Sequence, residues 1–289
     1  NSLLPKHLLL VDRAISIGGG RNGKLQFLFA IAKLPWLLWQ RYDVVLDLQN
    51  HRISNIVRKL LRPMAWASFD RYSPISAGDR TRATIAAAGL GDVNLATSLT
   101  VKLSKLRVEQ VLAENGWDGT SALVVLNPAG FFTSRNWPLE NYSQFARLWK
   151  AAMPATQFLF IGTDRIQAKA RAIEREIGKQ VNLVNKTNIA EAFAIVGRAA
   201  LVLTEDGGLM HMAWVQGVPT LALFGSSRAD WSAPLGDWAL CLNSADMECG
   251  ACMLAECKFG DNRCLQRYTP DLVFTHAKKL LPGKIWECE

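Results

Sequence analysis

Thr204-Glu205-Asp206-Gly207-Gly208-Leu209-Met210-His211-Met212-Ala213, followed by Gly217-Val218-Pro219 and the apolar run Thr220 to Phe224, reads as strand, turn, helix, strand. The preceding run Ala199 to Leu203 is short and apolar enough for a buried strand, and the apolar residues from Leu209 to Val215 suit a helix packed on a sheet. Gly207 and Gly208 then fall at a helix N-terminus, where backbone N–H groups lack intrahelical partners and attract a phosphate. His211 lies one turn further on. The same letters also fit an ordinary tight turn with a core histidine, so the neighbouring segments have to decide.

They repeat the pattern. Ala122 to Leu126, Gln157 to Ile161 and Val181 to Val184 read as strands; Leu139 to Ala152, Arg165 to Ile177 and Ile189 to Arg198 read as helices. Strands that alternate with helices build a parallel sheet with right-handed crossovers, and such sheets bind ligands at the carboxyl ends of their strands. Three loops converge there: Asn127 to Trp137, Gly162 to Asp164, and Glu205 to Gly208. The first half carries the same α/β alternation: Leu8 to Val11, a helix from about Lys24, the strand Asp43 to Leu48, and helices at Ser54 to Leu61, Asp79 to Ala88 and Val108 to Asn115. The polar stretch Gly116-Trp117-Asp118-Gly119-Thr120 marks a domain boundary. The expected organisation is residues 1–115, then 116–270, then a C-terminal helix and tail over 271–289.

A chain of 289 residues, 49% of them hydrophobic, suffices for two ordinary cores. Its 33 Lys and Arg against 25 Asp and Glu give a formal charge of +8, which favours anionic partners. Nucleic acid is not among those expected, because no binding module is visible and the basic residues are dispersed. The most apolar run, Leu25 to Trp39, contains Lys33 and Pro35 and falls short of the roughly 20 residues that span a bilayer. With Trp36 and Trp39 it fits either an interfacial anchor or a helix buried on a sheet. No signal peptide is visible before Leu8, which favours a reducing, cytoplasmic setting.

In the loop Asn127-Pro128-Ala129-Gly130-Phe131-Phe132-Thr133-Ser134-Arg135-Asn136-Trp137-Pro138, Arg135 is a candidate clamp for two phosphate oxygens, and Thr133 and Ser134 are further donors. Gly18-Gly19-Gly20-Arg21-Asn22-Gly23 matches a dinucleotide fingerprint in letters, but Asp12 and Arg13 interrupt the strand it needs, so a loop is expected. Cys249, Cys252, Cys257 and Cys264 lie within sixteen residues. Thiolates at that density suit a structural zinc or iron, and free thiols or two disulfides fit as well. Without a histidine or carboxylate in the set, the cluster is expected to be structural and remote from any chemistry.

Taken together, Asn127-Pro128 to Trp137-Pro138, Gly162-Thr163-Asp164, Asn185 to Ala200, Thr204 to Ala213 and Gly217 to Ser226 resemble glycosyltransferase family 9, the heptosyltransferases of lipopolysaccharide core assembly. Tyr42 to Asn50 is similar to a strand of that family's N-terminal domain, and the cysteine cluster looks like one found in many members. The resemblance implies an α/β protein of GT-B type, with two Rossmann-like domains whose parallel sheets face each other across a cleft. It implies inverting transfer of a heptose, or a related sugar, from a nucleotide-diphosphate donor such as ADP-heptose to a lipid-linked oligosaccharide acceptor. No cofactor is required on the phosphates, and a peripheral contact with the inner membrane is compatible with it. Arg135 and the amides of Gly207, Gly208 and Leu209 would stabilise the leaving diphosphate; Asp206 would bind sugar hydroxyls and Asp164 the ribose, with His211 beside them. The family's Gly-Asp motif, which carries the base, has no counterpart before Leu8. Gly91-Asp92 copies its letters but follows a helix, so the catalytic base is left unassigned. A nucleotide-sugar epimerase, another GT-B enzyme, or an inactive sugar-nucleotide-binding protein are the alternatives.

Overall fold

The computed structural model describes residues 11–20, 22–93 and 105–281. The chain divides into two compact units, Asp12–Ala96 and Thr97–Glu289. The first contains helix α1 (Gly23–Trp39), strand β1 (Val44–Asp47), helix α2 (Arg52–Leu61), strand β2 (Ala65–Ser68) and helix α3 (Ala77–Ala87). β1 and β2 pair in parallel from Val44 opposite Ala65 to Asp47 opposite Ser68. Each helix start has a local cause. Asn22 caps α1 through the amides of Lys24 and Leu25, His51 and Ser54 form a reciprocal cap on α2, and Ser76 caps α3 through the amide of Asp79. The glycine run before α1 is a loop, with Gly18, Gly19 and Gly20 all at positive φ. Of the strand expected at Leu8 to Val11, residues 8–10 lie outside the described part of the chain.

The second unit contains helix α4 (Lys105–Glu114), β3 (Ala122–Asn127), α5 (Leu139–Ala152), β4 (Thr156–Phe160), α6 (Gln167–Ile177), β5 (Val181–Asn182) and α7 (Ile189–Val196). It continues with β6 (Leu201–Glu205), α8 (Gly208–Trp214), β7 (Thr220–Leu223), a single turn α9 (Ala229–Ser232), β8 (Ala239–Leu242), α10 (Arg263–Gln266) and α11 (Pro270–Lys279). Six parallel strands are ordered β5-β4-β3-β6-β7-β8, so the chain reverses its direction of travel across the sheet between β3 and β6. That is the switch point at which ligands of doubly wound sheets bind.

Alternation along β3 builds the two faces of this sheet. Val124 and Leu126 enter a core with Tyr142, Phe145 and Trp149 of α5, Ile173 of α6 and Val273 of α11. Leu123 and Val125 enter the opposite core, with Val111 and Leu112 of α4, Ile195 of α7 and Ala213 of α8. α4 therefore belongs to the second unit, and the division falls near Ala96 and Thr97. The boundary expected just before Gly116 is placed too late, because Val108, Val111 and Leu112 bury against strands that follow that turn. The segment from residue 271 is likewise not separate, since α11 packs on α5 in the same core.

Candidate functional site

The site is built on the ends of β3 and β6. β6 ends at Glu205, a glutamate with no solvent exposure. Its carboxylate accepts from the backbone N–H of Trp137 at 2.7 Å and from that of Gly130, at the two ends of the loop that leaves β3. Gly130 has no room for a side chain: a Cβ there would lie 2.3 Å from the carbonyl oxygen of Arg135, so the loop is folded tightly on itself. Lys169 of α6 donates to the Pro128 carbonyl at 2.9 Å and also to Asn136, bracing the loop from the other side. Burial pushes the Glu205 carboxyl up to about 7, against the opposing pull of Lys169, the two backbone amides and Tyr142. Burial lowers the Lys169 ammonium, with Glu205 acting in the other direction.

One residue beyond Glu205, Asp206 pairs with Arg135 at 3.1 Å and accepts from the Ser227 hydroxyl at 2.7 Å. Gly207 has φ 178°, extended backbone that any residue adopts, and a Cβ on Gly208 would meet nothing within 4 Å. Neither conformation nor crowding calls for glycine at this turn. What the glycines leave is bare backbone facing a cleft of about 400 Å³. Asn127, Phe131, Gly162, Thr163, Asn188 and Asp206 contribute polar or aromatic groups to that cleft, while Ile161, Ile166, Ile189, Leu209 and Met212 form apolar wall. Arg165 also lines it, its guanidinium 4.3 Å from the centre of the Phe131 ring.

The expected donor residues thus separate into three groups. Asp206, Gly207, Gly208 and Leu209 line the cleft. Arg135 stands at its edge, already paired with Asp206 and not a lone cation, and its other terminal nitrogen lies 3.8 Å from the sulfur of Met253. Thr133, Ser134, Asp164 and His211 do not line it. The Thr133 hydroxyl bonds the Ala255 carbonyl at 3.1 Å, and the buried Ser134 hydroxyl bonds the Leu254 carbonyl at 2.6 Å and Ser226 at 2.8 Å. Both therefore face the cysteine-bearing loop. Asp164 is exposed between two residues that do line the cleft. His211 packs edge-on to Trp214, and burial holds it below its ordinary pKa although Asp206 opposes this.

Cys249, Cys252, Cys257 and Cys264 surround one small cavity together with Ser134, Ser226, Lys258 and Arg263. Burial alone would raise the Cys257 thiol, but the amides of Phe259, Asn262, Asp261 and Gly260 outweigh it and leave the thiol below its ordinary value. Four thiols are a donor set that zinc or iron accepts. Even so, no three His, Cys, Asp or Glu side chains among the described residues converge closely enough to hold one ion. The cluster sits against the loop that carries Arg135. Its loop carries the partners of Thr133 and Ser134, and Asn262 donates to the Thr133 carbonyl at 3.1 Å, so it buttresses the turn that presents Arg135.

The sequence profile of glycosyltransferase family 9 (heptosyltransferase) matches residues 33–262. The chain belongs to glycosyltransferase family 9. It is 27% identical over 162 residues to lipooligosaccharide heptosyltransferase 2 of Campylobacter jejuni, covering 54% of this chain and 50% of that protein. It spans about half the length of the curated relatives it matches. Solved structures share its fold. The glycosyl transferase of family 9 from Veillonella parvula superposes with a TM-score of 0.71 at 19% identity, over 88% of this chain and 79% of the other. The ADP-heptose heptosyltransferase II of Escherichia coli gives 0.67 at 18%, over 88% and 80%.

In this family 9 chain, Asp47 and Asp92 of the first unit have structural partners. Asp47 is buried and accepts from the amides of Gln49 and Asn50 and from the Ser54 hydroxyl at 3.0 Å, which fixes the entry to α2. Asp92 pairs with Arg82 at 3.1 Å, and Gly91 before it follows a helix, as the sequence indicates. Sequence reasoning did not single out Glu205, Lys169 or Arg165. Arg165 had a signal, as a cation beside Asp164 in a loop at a strand's carboxyl end. Glu205 and Lys169 had none, since their meeting depends on how the β3 loop folds.

Proposed function

We propose that this chain is a heptosyltransferase that binds ADP-heptose, or a related nucleotide-diphosphate sugar, in the cleft between Phe131, Thr163, Asn188 and the Gly207-Gly208 turn. The observation that carries the reading is that cleft. It lies at the switch point of a parallel sheet, has apolar walls of a size to take a nucleoside, and opens onto glycines whose bare backbone a diphosphate can approach. The relatives' names, lipooligosaccharide heptosyltransferase and ADP-heptose heptosyltransferase, support a heptose as the sugar and a lipooligosaccharide as the acceptor. In the proposed reaction an acceptor hydroxyl attacks the anomeric carbon from the face opposite the diphosphate. The new C–O bond forms as the bond to the leaving diphosphate breaks, and the electron pair departs on the phosphate oxygen. The amides of Gly207, Gly208 and Leu209, with Arg135 and Arg165, would take up that charge, so the reading places no metal on the phosphates. The acceptor's proton goes to a base that the described residues do not identify.

The setting proposed is cytoplasmic, with a peripheral contact at the inner membrane. Among the described residues no helix is long and apolar enough to cross a bilayer. Titration calorimetry with ADP-heptose tests the donor reading. One saturable site per chain, competed by ADP, is expected; no heat from ADP-heptose at millimolar concentration would refute it.

A further inference from the structure

Glu205 is conspicuous because nothing in the proposed transfer uses it. A side chain with no exposure is a costly place for a carboxylate, and removal from water is the largest influence on it. It sits between the two ends of one loop. One oxygen accepts from Trp137 N–H at 2.7 Å and the other from Gly130 N–H, while Asp206, its neighbour in sequence, holds the Arg135 guanidinium from the same loop at 3.1 Å. The groups facing the carboxylate are the Lys169 ammonium from α6 and the Tyr142 hydroxyl from α5, with Arg165 acting on Lys169. His211 and Arg135 face Asp206.

We infer that Glu205 is a positioning residue for donor binding: its ionised carboxylate ties Gly130 to Trp137 and so fixes where Arg135 is presented beside the cleft. This rests on the donor reading above. The chemistry favours the ionised form, because a carboxylate presents full acceptor strength on both oxygens. The amide of a glutamine sets a donor against one of the two N–H groups and leaves that N–H unpaired in a buried site, and the hydroxyl oxygen of a neutral acid accepts more weakly than a carboxylate oxygen. Glu205 titrates at about 7, so the tie loosens as pH falls through neutrality.

The test uses the 289-residue chain, its E205Q variant and ADP-heptose, whose diphosphate is esterified at both ends and does not titrate near neutrality. Hydrogen exchange, corrected for intrinsic rates, is expected to rise about tenfold at Gly130 and Trp137 in E205Q, the scale of one lost hydrogen bond to a charged group. Protection of Val124 to Leu126 in β3 should be unchanged. In the parent protein the same two amides should lose protection between about pH 8 and about pH 6, and ADP-heptose affinity should weaken about tenfold over that range. In E205Q the affinity should be weak and independent of pH. Equal protection in the two proteins, or parallel pH profiles of affinity, would overturn the inference. If E205Q does not fold, the pH dependence of exchange in the parent protein decides it. If the parent protein binds no ADP-heptose, the donor reading fails separately, and exchange alone settles whether Glu205 ties the loop.

Discussion

Arg135 shows how far a single residue can be read from sequence. A guanidinium in a loop at a strand's carboxyl end reads as a candidate anion clamp, but its pairing with Asp206 at 3.1 Å was not legible, because the two are 71 positions apart. The pair is mostly shielded, with side-chain exposures of 14% and 18%; in the proposed reading, a diphosphate that draws Arg135 away leaves Asp206 to hydroxyls of the sugar. Arg135→Ala is expected to weaken ADP-heptose binding by about 1.5–3 kcal/mol, the range of a hydrogen bond to a charged group, and calorimetry measures it directly. Glu205 gives a second expectation, for stability. Its folded pKa is raised from 4.5 to about 7, so the folded chain holds the proton more tightly than the unfolded one. The resulting stabilisation is complete below about pH 4.5 and is lost as pH rises through about 7. The melting temperature of the parent protein should therefore fall more steeply across that window than that of E205Q, in scans at fixed ionic strength. Parallel slopes would show that Glu205 does not titrate there. The same carboxylate then costs stability where it is ionised and orders the loop in that state.

Among elements, the long periodic segments and most short apolar strands matched their reading, and two short strands were missed. α5 runs from Leu139 to Ala152 as expected, because its apolar face meets the sheet at helical spacing. β2 was missed, since Ala65-Trp66-Ala67-Ser68 follows Pro63 and has almost no strand signal of its own; parallel pairing with β1 makes it a strand. β8 was missed for a related reason, its half-buried Ala239 to Leu242 being fixed by pairing with β7 at the sheet edge. The β6–α8 turn was legible in outline, and the structure sharpens it: the glycines leave space that the fold does not fill. Gly208→Val should therefore leave the melting temperature nearly unchanged, because the added carbons enter open cleft. The same change should weaken ADP-heptose binding by at least about 1.4 kcal/mol, a factor of ten. A large loss of stability with affinity retained would show that the glycine serves the fold and not a ligand.

At the scale of the whole molecule, the formal charge of +8 was legible but its location matters more than its size. Asp12–Ala96 carries twelve Lys and Arg against six Asp and no Glu, so most of the excess resides in the first unit. That unit also exposes apolar side chains on α1: Leu28 at 62% and Trp39 at 78%, with Phe27 and Phe29 partly open. A cleft of about 660 Å³ opens there between Phe27, Leu28, Ile53 and Ile56, with Lys24 and Arg52 beside it. A basic surface with exposed aromatic and aliphatic groups is drawn to anionic lipid by charge and held by burial of the apolar side chains. In co-sedimentation, the chain should bind vesicles containing phosphatidylglycerol and bind phosphatidylcholine vesicles weakly. Raising the salt from about 0.1 M to about 1 M shortens the screening length from about 10 Å to about 3 Å and should release most of the bound protein. A Leu28→Ser, Trp39→Ser double variant should lose binding at low salt while keeping its affinity for ADP-heptose, because the cleft proposed for the donor is lined by residues of the second unit. Vesicle binding that ignores both lipid charge and this substitution would remove the membrane contact from the reading and leave the donor site untouched.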